Sequence, residues 1–567
     1  MFIFKLSFYC TRLLQVIFVM SFVLMLNYSH AADTIKQAKK TEQFLNSRLP
    51  VGFYIYLYNF QAWNDPDARD IDQAIEKMAA MGFNYLYVGG VSDTPLWGRI
   101  LTLCEKLHIA VVPQLDFAYL GFVDPKTIKV EDLVFRAVPF IKKYKDSPAL
   151  MAFSVCEEPT VQIMPVLRKY YEGIMQEVPD APLMLIVNHF PQLAGMEPPY
   201  PGIIGADRYS FWWEMSGHRA TPWYALKWYH SQLDSYYQLA TERGADFQAI
   251  FTASTLETFT THDVLKTWLY PNTMELSQEA HKKFFIDPAG ALSAEDRNLL
   301  YKTILEFAVN KNQGWENAQE KLRFWKYYRP PVNCVRAMSW LGIMEGARSV
   351  AVWAWQPPYK NMIDLSYRNN GKENQEYINS ITGWDGKGTV QLDEYSEFAG
   401  QIQRYAKLVR VMTKVCNSLD KKNLPLGHEL CGNTEGAKNL LDVKGEDVTW
   451  QAFNIPGYSG KAIVLVNTRV GSWCDGRSPH YLTPKDVFRI DDLGNAMDYV
   501  PFTESRELKF SVIPPGMECV DLKTGDILAT EDDRLISLSI VPGGGRFLFI
   551  SHKGSLEWER LKQQFSL

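Results

Sequence analysis

The chain has 567 residues, 47% hydrophobic, 22% charged and 13% aromatic, a globular balance that argues against disordered, collagen-like or coiled-coil architecture. One compact core rarely grows this large, so at least two domains are expected. With 59 Lys and Arg against 64 Asp and Glu the formal charge is -5, and no basic tract supplies the electrostatic footprint that nucleic acid requires.

The first residues combine Lys5 and Arg12, an apolar run from Leu13 to Leu26 and a small-residue exit at Ser29-His30-Ala31. This is the pattern of a secretory signal, residues 1–31, and the run is short of the roughly 20 residues that span a bilayer. Removing it leaves 57 basic against 64 acidic residues, a charge of -7. No other stretch is long and apolar enough to span a membrane, so the mature chain is expected to be exported, periplasmic or extracellular, without an integral span. Seven cysteines remain (Cys104, Cys156, Cys334, Cys416, Cys431, Cys474 and Cys519) with no Cys-x-x-Cys spacing. A zinc site is not supported, and no metal is expected. Cys416 and Cys431 are a possible pair, and most of the others read as buried thiols.

Residues 32–50 read as a linker. From residue 51, short β-rich runs alternate with amphipathic helical segments, the pattern of a parallel sheet covered by helices. The runs fall at 51–60, 83–90, 109–117, 150–158, 182–190, 202–212, 247–255 and 349–357. Eight such strands predict an α/β fold, a closed (β/α)8 TIM barrel over 51–415. Ile71, Ile75, Met78 and Ala79 fall at helical spacing with Gly82 as the stop, and Val166, Leu167, Tyr170 and Ile174 form a second stripe. Helices are also predicted over Asn333–Gly346 and from Tyr395 to Val411. Residues 256–330 form a connection far longer than usual, which in a barrel sits over the C-terminal face as a lid or cleft wall. Beyond residue 420, alternating runs broken by Gly and Pro predict a small all-β sandwich over 420–567.

In such a barrel, functional groups gather at the C-terminal ends of the strands. Those ends supply Asn59, Asp93, Asp116, Glu157 and Glu158, Asn188 and His189, Asp207 and Tyr209, Thr255 and Glu257, and Trp353, Trp355 and Gln356. The set is rich in carboxylates, amides and aromatic rings and poor in phosphate-gripping loops and Ser-His pairings. It has the character of a carbohydrate site.

The segment Ser154-Val155-Cys156-Glu157-Glu158-Pro159, a hydrophobic strand ending in Glu-Pro at the fourth position, resembles the Asn-Glu-Pro signature of clan A glycoside hydrolases. The late segment MSWLGIMEGARSVAVWAWQP and the C-terminal β-rich run are similar to the last barrel unit and following sandwich of many barrel glycosidases. The resemblance covers roughly residues 50–410 of the barrel and implies that Glu158 is the general acid/base. The residue before it, usually an Asn that binds the substrate's 2-hydroxyl, is here Glu157. A carboxylate in that place accepts but does not donate, and its charge pushes its neighbour's pKa upward.

The resemblance also implies a nucleophile ending the seventh strand, where the first acid is Glu257; Asp207, Asp116 and Glu214 are rivals. Tyr209 could hold the nucleophile, and Trp355 could floor the sugar subsite, with Trp353 as core. Glu157, Asp116, Asn188, Asp207, Tyr209 and Trp355 are therefore the expected substrate-binding groups. Together these imply an exported hydrolase of glycosidic bonds in an oligo- or polysaccharide, using two carboxylates, probing a carbohydrate substrate without any cofactor. A non-catalytic carbohydrate-binding protein on the same barrel is the alternative.

Overall fold

The computed structural model describes residues 39–567 except 58–59, 116–124, 189–194, 210–221, 254–255, 258–324, 328–329, 356–387, 416–439, 444–447, 474–498, 513 and 530–534. Strands β1 (Val51–Tyr56), β2 (Tyr85–Val91), β3 (Ala110–Leu115), β4 (Phe153–Glu157), β5 (Leu183–Val187), β6 (Ile203–Asp207), β7 (Asp246–Thr252) and β8 (Ser349–Trp353) close into a barrel in the order β1-β8-β7-β6-β5-β4-β3-β2. Each of the eight β-rich runs supplies one stave, and all neighbours are parallel. Their near-continuous burial follows from this placement, because each strand has helices on one face and the barrel interior on the other.

Alternation sorts the side chains. Tyr54, Tyr85, Tyr87, Val112, Ile186, Ile250 and Trp353 belong to one buried interior cluster, whereas Phe53, Leu86, Val111, Leu185, Phe251 and Val352 join the cluster under the helices. Tyr54 and Tyr87 stack at 4.1 Å between ring centroids. Rings of this size on β1 and β2 fill much of the interior, and other staves give way. A Cβ at Gly205 on β6 would lie 2.8 Å from Ile250 Cδ1.

The helices are α1 (Asp70–Ala80), α2 (Pro95–Leu107), α3 (Val130–Tyr144), α4 (Met164–Glu177), α5 (Pro222–Glu242), α6 (Cys334–Met344), α7 (Val390–Gln403) and α8 (Ala406–Val411). The stripes of Ile71, Ile75 and Met78 and of Leu167, Tyr170 and Ile174 are buried, and Gly82 follows α1 at φ +89°. The single helix expected from Tyr395 to Val411 is instead two, α7 and α8, separated at Arg404 and Tyr405. There Tyr405 stacks on Phe547 at 4.4 Å. Before the barrel, residues 39–44 are helical and Leu45 is fully buried in the interior cluster. Of the 256–330 insertion, Leu256–Glu257 and Trp325–Tyr327 form a short antiparallel pair.

The C-terminal part is a β-sandwich. Strands 413–414, 448–454, 461–467, 545–552, 517–521 and 527–529 form a six-stranded sheet, and 441–443, 506–512 and 535–540 a three-stranded one. Ile463, Leu465, Leu548 and Ile550 face Phe510, Ile536 and Leu538 of the smaller sheet. The alternate residues Val464, Val466, Phe547 and Phe549 share the barrel's outer cluster with Trp340 of α6. A Cβ at Gly545 would lie 2.2 Å from Trp340 Cδ2, and one at Gly543 2.2 Å from Asn333 O, so glycine lets the sheet seat directly on α6.

A buried ionic cluster ties the same seam. The Lys414 ammonium, 0% exposed, donates to the carboxylates of Glu345, also 0% exposed, and Asp234. His230 Nδ1 contacts Glu345, and His230 Nε2 lies 3.1 Å from Thr449 Oγ1. Removing one member of such a set strands the others in a medium of low dielectric. Lys414→Met is therefore expected to destabilise the chain by about 3–5 kcal/mol, read from denaturant unfolding, with part of the loss recovered in Lys414→Met/Glu345→Leu.

Candidate active site

Two local departures from regular strand geometry bring acids to the barrel mouth. The β4–β5 register slips between Ser154 and Cys156, so that Ser154 pairs with Met184, Cys156 with Leu185 and Glu157 with Ile186. One extra residue in a strand reverses the phase of everything after it. Val155 and Cys156 accordingly both join the outer cluster, and Glu157 pairs with Ile186 of the interior cluster. Glu158 then adopts φ 48°, a left-handed conformation unusual for a residue other than glycine. The following Pro159 disfavours the right-handed helical region at this position, and the backbone is held by Glu158 N donating to Ile186 O at 2.9 Å. Adjacent acids that strict alternation would send to opposite faces both come close to Asp207.

Glu157 Oε2 accepts from Gln114 Nε2 at 2.8 Å. Gln114 is the in-phase successor of Ala110 and Val112 on β3, a polar residue on an otherwise apolar inner row. That interruption was the signal by which the sequence could have revealed it. Space for it comes from Gly89 on β2, where a Cβ would lie 2.8 Å from Gln114 Oε1 and 2.4 Å from Tyr56 Cδ1. Below Glu157 lies a phenol layer. Tyr87 Oη donates to Ser154 Oγ at 3.0 Å, Tyr85 Oη donates to Gln248 Oε1 at 3.3 Å, and Tyr54 Oη is buried with no hydrogen-bond partner.

Asp207, the last residue of β6, is 3% exposed. Its carboxyl is hydrogen-bonded to Tyr209 and to Glu158, while Oδ1 has no partner. Burial first, then the charges of Glu158 and Glu157, pushes the Asp207 carboxyl well above the ordinary aspartate range. Burial and the neighbouring Glu158 raise Glu157 to about 8, against the opposing effect of the Gln114 bond. Tyr209 is half-buried and stacks on Trp353 at 5.2 Å; Trp353 Nε1 donates to Tyr56 Oη at 2.8 Å.

Of the site residues expected from the sequence, Glu157, Glu158, Asp207 and Tyr209 come together at the mouth. Asn188 is the first residue beyond β5 and is half-buried. Trp355 is placed differently. Period-two alternation ends with β8 at Trp353, and Trp355 packs at 4.9 Å against Phe53 under the helices, 1% exposed. Trp353, 4% exposed in the interior cluster, takes the barrel-core position expected for it. Asp93 points away, bonded to Lys143 at 2.7 Å and to Tyr144 at 2.6 Å.

The Glu257 backbone lies in the short strand paired with Trp325, beyond the end of β7 at Thr252. Asp116, Asn59, His189, Glu214 and Gln356 lie outside the described residues, as do Cys416, Cys431 and the signal segment. Cys104, Cys156, Cys334 and Cys519 are buried. Among the described residues no group of three or more His, Cys, Asp or Glu side chains is arranged to hold a metal, and no helix is long and apolar enough to cross a membrane.

No protein-family model matches the chain, and no curated protein matches it. Solved structures similar to it are glycoside hydrolases. They include a β-glucuronidase from Faecalibacterium prausnitzii, at TM-score 0.36 and 13% identity over 63% of this chain and 49% of that one. A glycoside hydrolase family 5 mannosidase from Rhizomucor miehei has TM-score 0.37 and 11% identity over 64% and 94%. A third, titled only as a glycoside hydrolase, has TM-score 0.37 and 8% identity over 89% and 93%. The chain spans about half the length of the β-glucuronidase. At these scores the likenesses assign no role to any residue.

Two measurements check the geometry. The native state keeps a proton on Glu157 up to about pH 8, whereas the unfolded chain releases it near 4.5. Glu157 thus lowers folding stability progressively as pH rises through that interval. Glu157→Gln removes this contribution, so the variant's denaturation midpoint should gain on the parent's between about pH 5 and pH 8. Trp355→Ala, which opens a core cavity, is expected to destabilise the chain by about 3–5 kcal/mol, measured by denaturant unfolding.

Proposed function

We propose that the chain is an exported glycoside hydrolase that cleaves a glycosidic bond of an oligo- or polysaccharide by a two-carboxylate mechanism. The observation that carries this reading is the convergence of Glu157, Glu158 and Asp207 at the mouth of a closed barrel, beside the Tyr209–Trp353 stack. Acids in a half-buried site with perturbed proton affinities suit proton transfer to a poor leaving group. Beside them the half-buried Tyr209 ring, backed by Trp353, is the aromatic surface proposed to meet a sugar ring.

In this reading Glu158 protonates the leaving oxygen and later deprotonates the attacking water. Glu257, which follows β7, is the proposed nucleophile. Asp207 does not suit that second role. It hydrogen-bonds Glu158, a closer approach than the roughly 5–5.5 Å of retaining pairs or the 6.5–9.5 Å of inverting ones. Glu157, Asn188 and Tyr209 are the proposed substrate contacts, with Asp116 beside them at the end of β3. Export rests on the signal pattern of residues 1–31. No cofactor enters the scheme.

The test is release of reducing ends from a panel of aryl glycosides and polysaccharides by the mature protein. Glu158→Gln should lower kcat by about 10²–10⁴-fold while leaving substrate binding nearly intact. Unchanged turnover would remove Glu158 from the mechanism. The hydrogen bond between Asp207 and Glu158 also favours a second reading, a carbohydrate-binding protein without hydrolysis, and binding with no released ends across the panel would select it.

A further inference from the structure

We propose that Asp207 is the positioning residue of Glu158: the two carboxyls share one proton across their hydrogen bond, and the pair, rather than Glu158 alone, determines over what pH range an acid is ready at the barrel mouth. The role in catalysis rests on the glycosidase reading above; the pairing itself does not.

The geometry is specific. Asp207 comes from β6 and Glu158 from the turn after β4, with β5 between them, so the bond spans the interior curve of the barrel rather than a local turn. Asp207 is almost wholly buried, and its bonded neighbours among the described residues are Tyr209 and Glu158. Two carboxylates cannot approach to hydrogen-bonding distance when both are ionised, because neither has a donor and their charges repel. One proton must therefore reside in the bond. Tyr209, a donor, supports the ionised form of Asp207 from one side, and its own ring is fixed by stacking on Trp353.

The groups facing the pair sharpen the expectation. On β4 lies Glu157, a third acid. From β1 the Tyr54 phenol senses both Asp207 and Glu157. From α5, Tyr229 and Tyr236 sense Asp207. Arg208, stacked on Trp228 at 4.6 Å, is the nearby cation and acts on Tyr236. Tyr54, Tyr229 and Tyr236 are pushed upward by burial, so they remain neutral over the range in which the acids titrate.

The proton balance is simple. In the first half-reaction Glu158 gives the pair's proton to the leaving oxygen as the glycosyl group passes to the nucleophile. Both carboxyls are then ionised, and the hydrogen bond between them is open until a proton returns. In the second, attacking water gives one proton back to the pair while its oxygen bonds the anomeric carbon and the nucleophile is released. Asp207 neither touches the sugar in this scheme nor forms a bond to it; it acts through Glu158.

The experiment follows carboxyl resonances by NMR in the full mature chain carrying isotope-labelled aspartate or glutamate, without substrate. The Asp207 signal is assigned with Asp207→Asn. In the parent, Asp207 should titrate above the ordinary aspartate range, and in Glu158→Gln it should titrate lower by about one unit or more, because coupled sites titrate as a pair. A shift of the Asp207 signal below about 0.3 unit in Glu158→Gln, well under what coupling requires, would overturn the proposal.

If Asp207→Asn does not fold, the Glu158→Gln arm decides by itself. In active protein, Asp207→Asn should also move the alkaline limb of kcat/KM to lower pH, with KM changed less than kcat and Asp207→Glu restoring part of the range. A change confined to KM would assign Asp207 to substrate binding and overturn the positioning role. Absence of turnover on every substrate would remove the glycosidase reading, yet the resonance titrations would still report whether the carboxyls are paired.

Discussion

The interior of an eight-stranded barrel has a fixed capacity, and what fills it determines where anything else can stand. Here Tyr54, Tyr85 and Tyr87 occupy the middle of that space from two adjacent staves, while Gly52 and Gly89 on those same staves and Gly205 on β6 withdraw. The result is a solid floor whose phenols are buried and whose upper edge meets Glu157. Glu157 and Glu158 above it are consequently half-buried, and Asp207 almost wholly so, against an apolar, weakly polarisable base. That is the condition under which neighbouring carboxyls hold their protons and feel one another's charge.

The staves themselves were legible because a parallel strand buried on both faces must be a short run of β-branched and aromatic residues between helical stripes. The same grammar distinguished barrel from sandwich. Glu-Pro at the fourth stave was legible for a different reason, since proline after an acid marks a break in regular structure. The extra residue between Ser154 and Cys156 was not legible. Neither glycine nor proline announces it, and Val155 and Cys156 are as acceptable inside as outside. It emerges only from which carbonyls β5 offers. The placement of Trp355 has a related origin, because alternation says which residues share a face only while a strand lasts, and β8 ends before it.

The buried polar groups at the seam between barrel and sandwich were hidden for another reason. Lys414, Glu345, Asp234, His230 and Thr449 are scattered over more than two hundred positions of sequence, and each alone reads as an ordinary surface residue. Their burial follows from the six-stranded sheet being a middle layer. Alternate residues of strands 461–467 and 545–552 serve two different cores, the sandwich's own and that of the barrel helices. This also explains why KAIVLVNT and GRFLFISHK lack polar alternation: such strands have no wet side.

A sheet with no wet side has an evolutionary corollary. Barrels fused to accessory lobes by a tether can trade those lobes as interchangeable modules, but α6, which leads directly into β8 and Trp353, here has its outer surface roofed by Gly545 and Phe547. Recombination that swapped the roof would strip the scaffold of the barrel mouth itself. The two halves of this chain are therefore expected to have diversified in step, as one heritable unit.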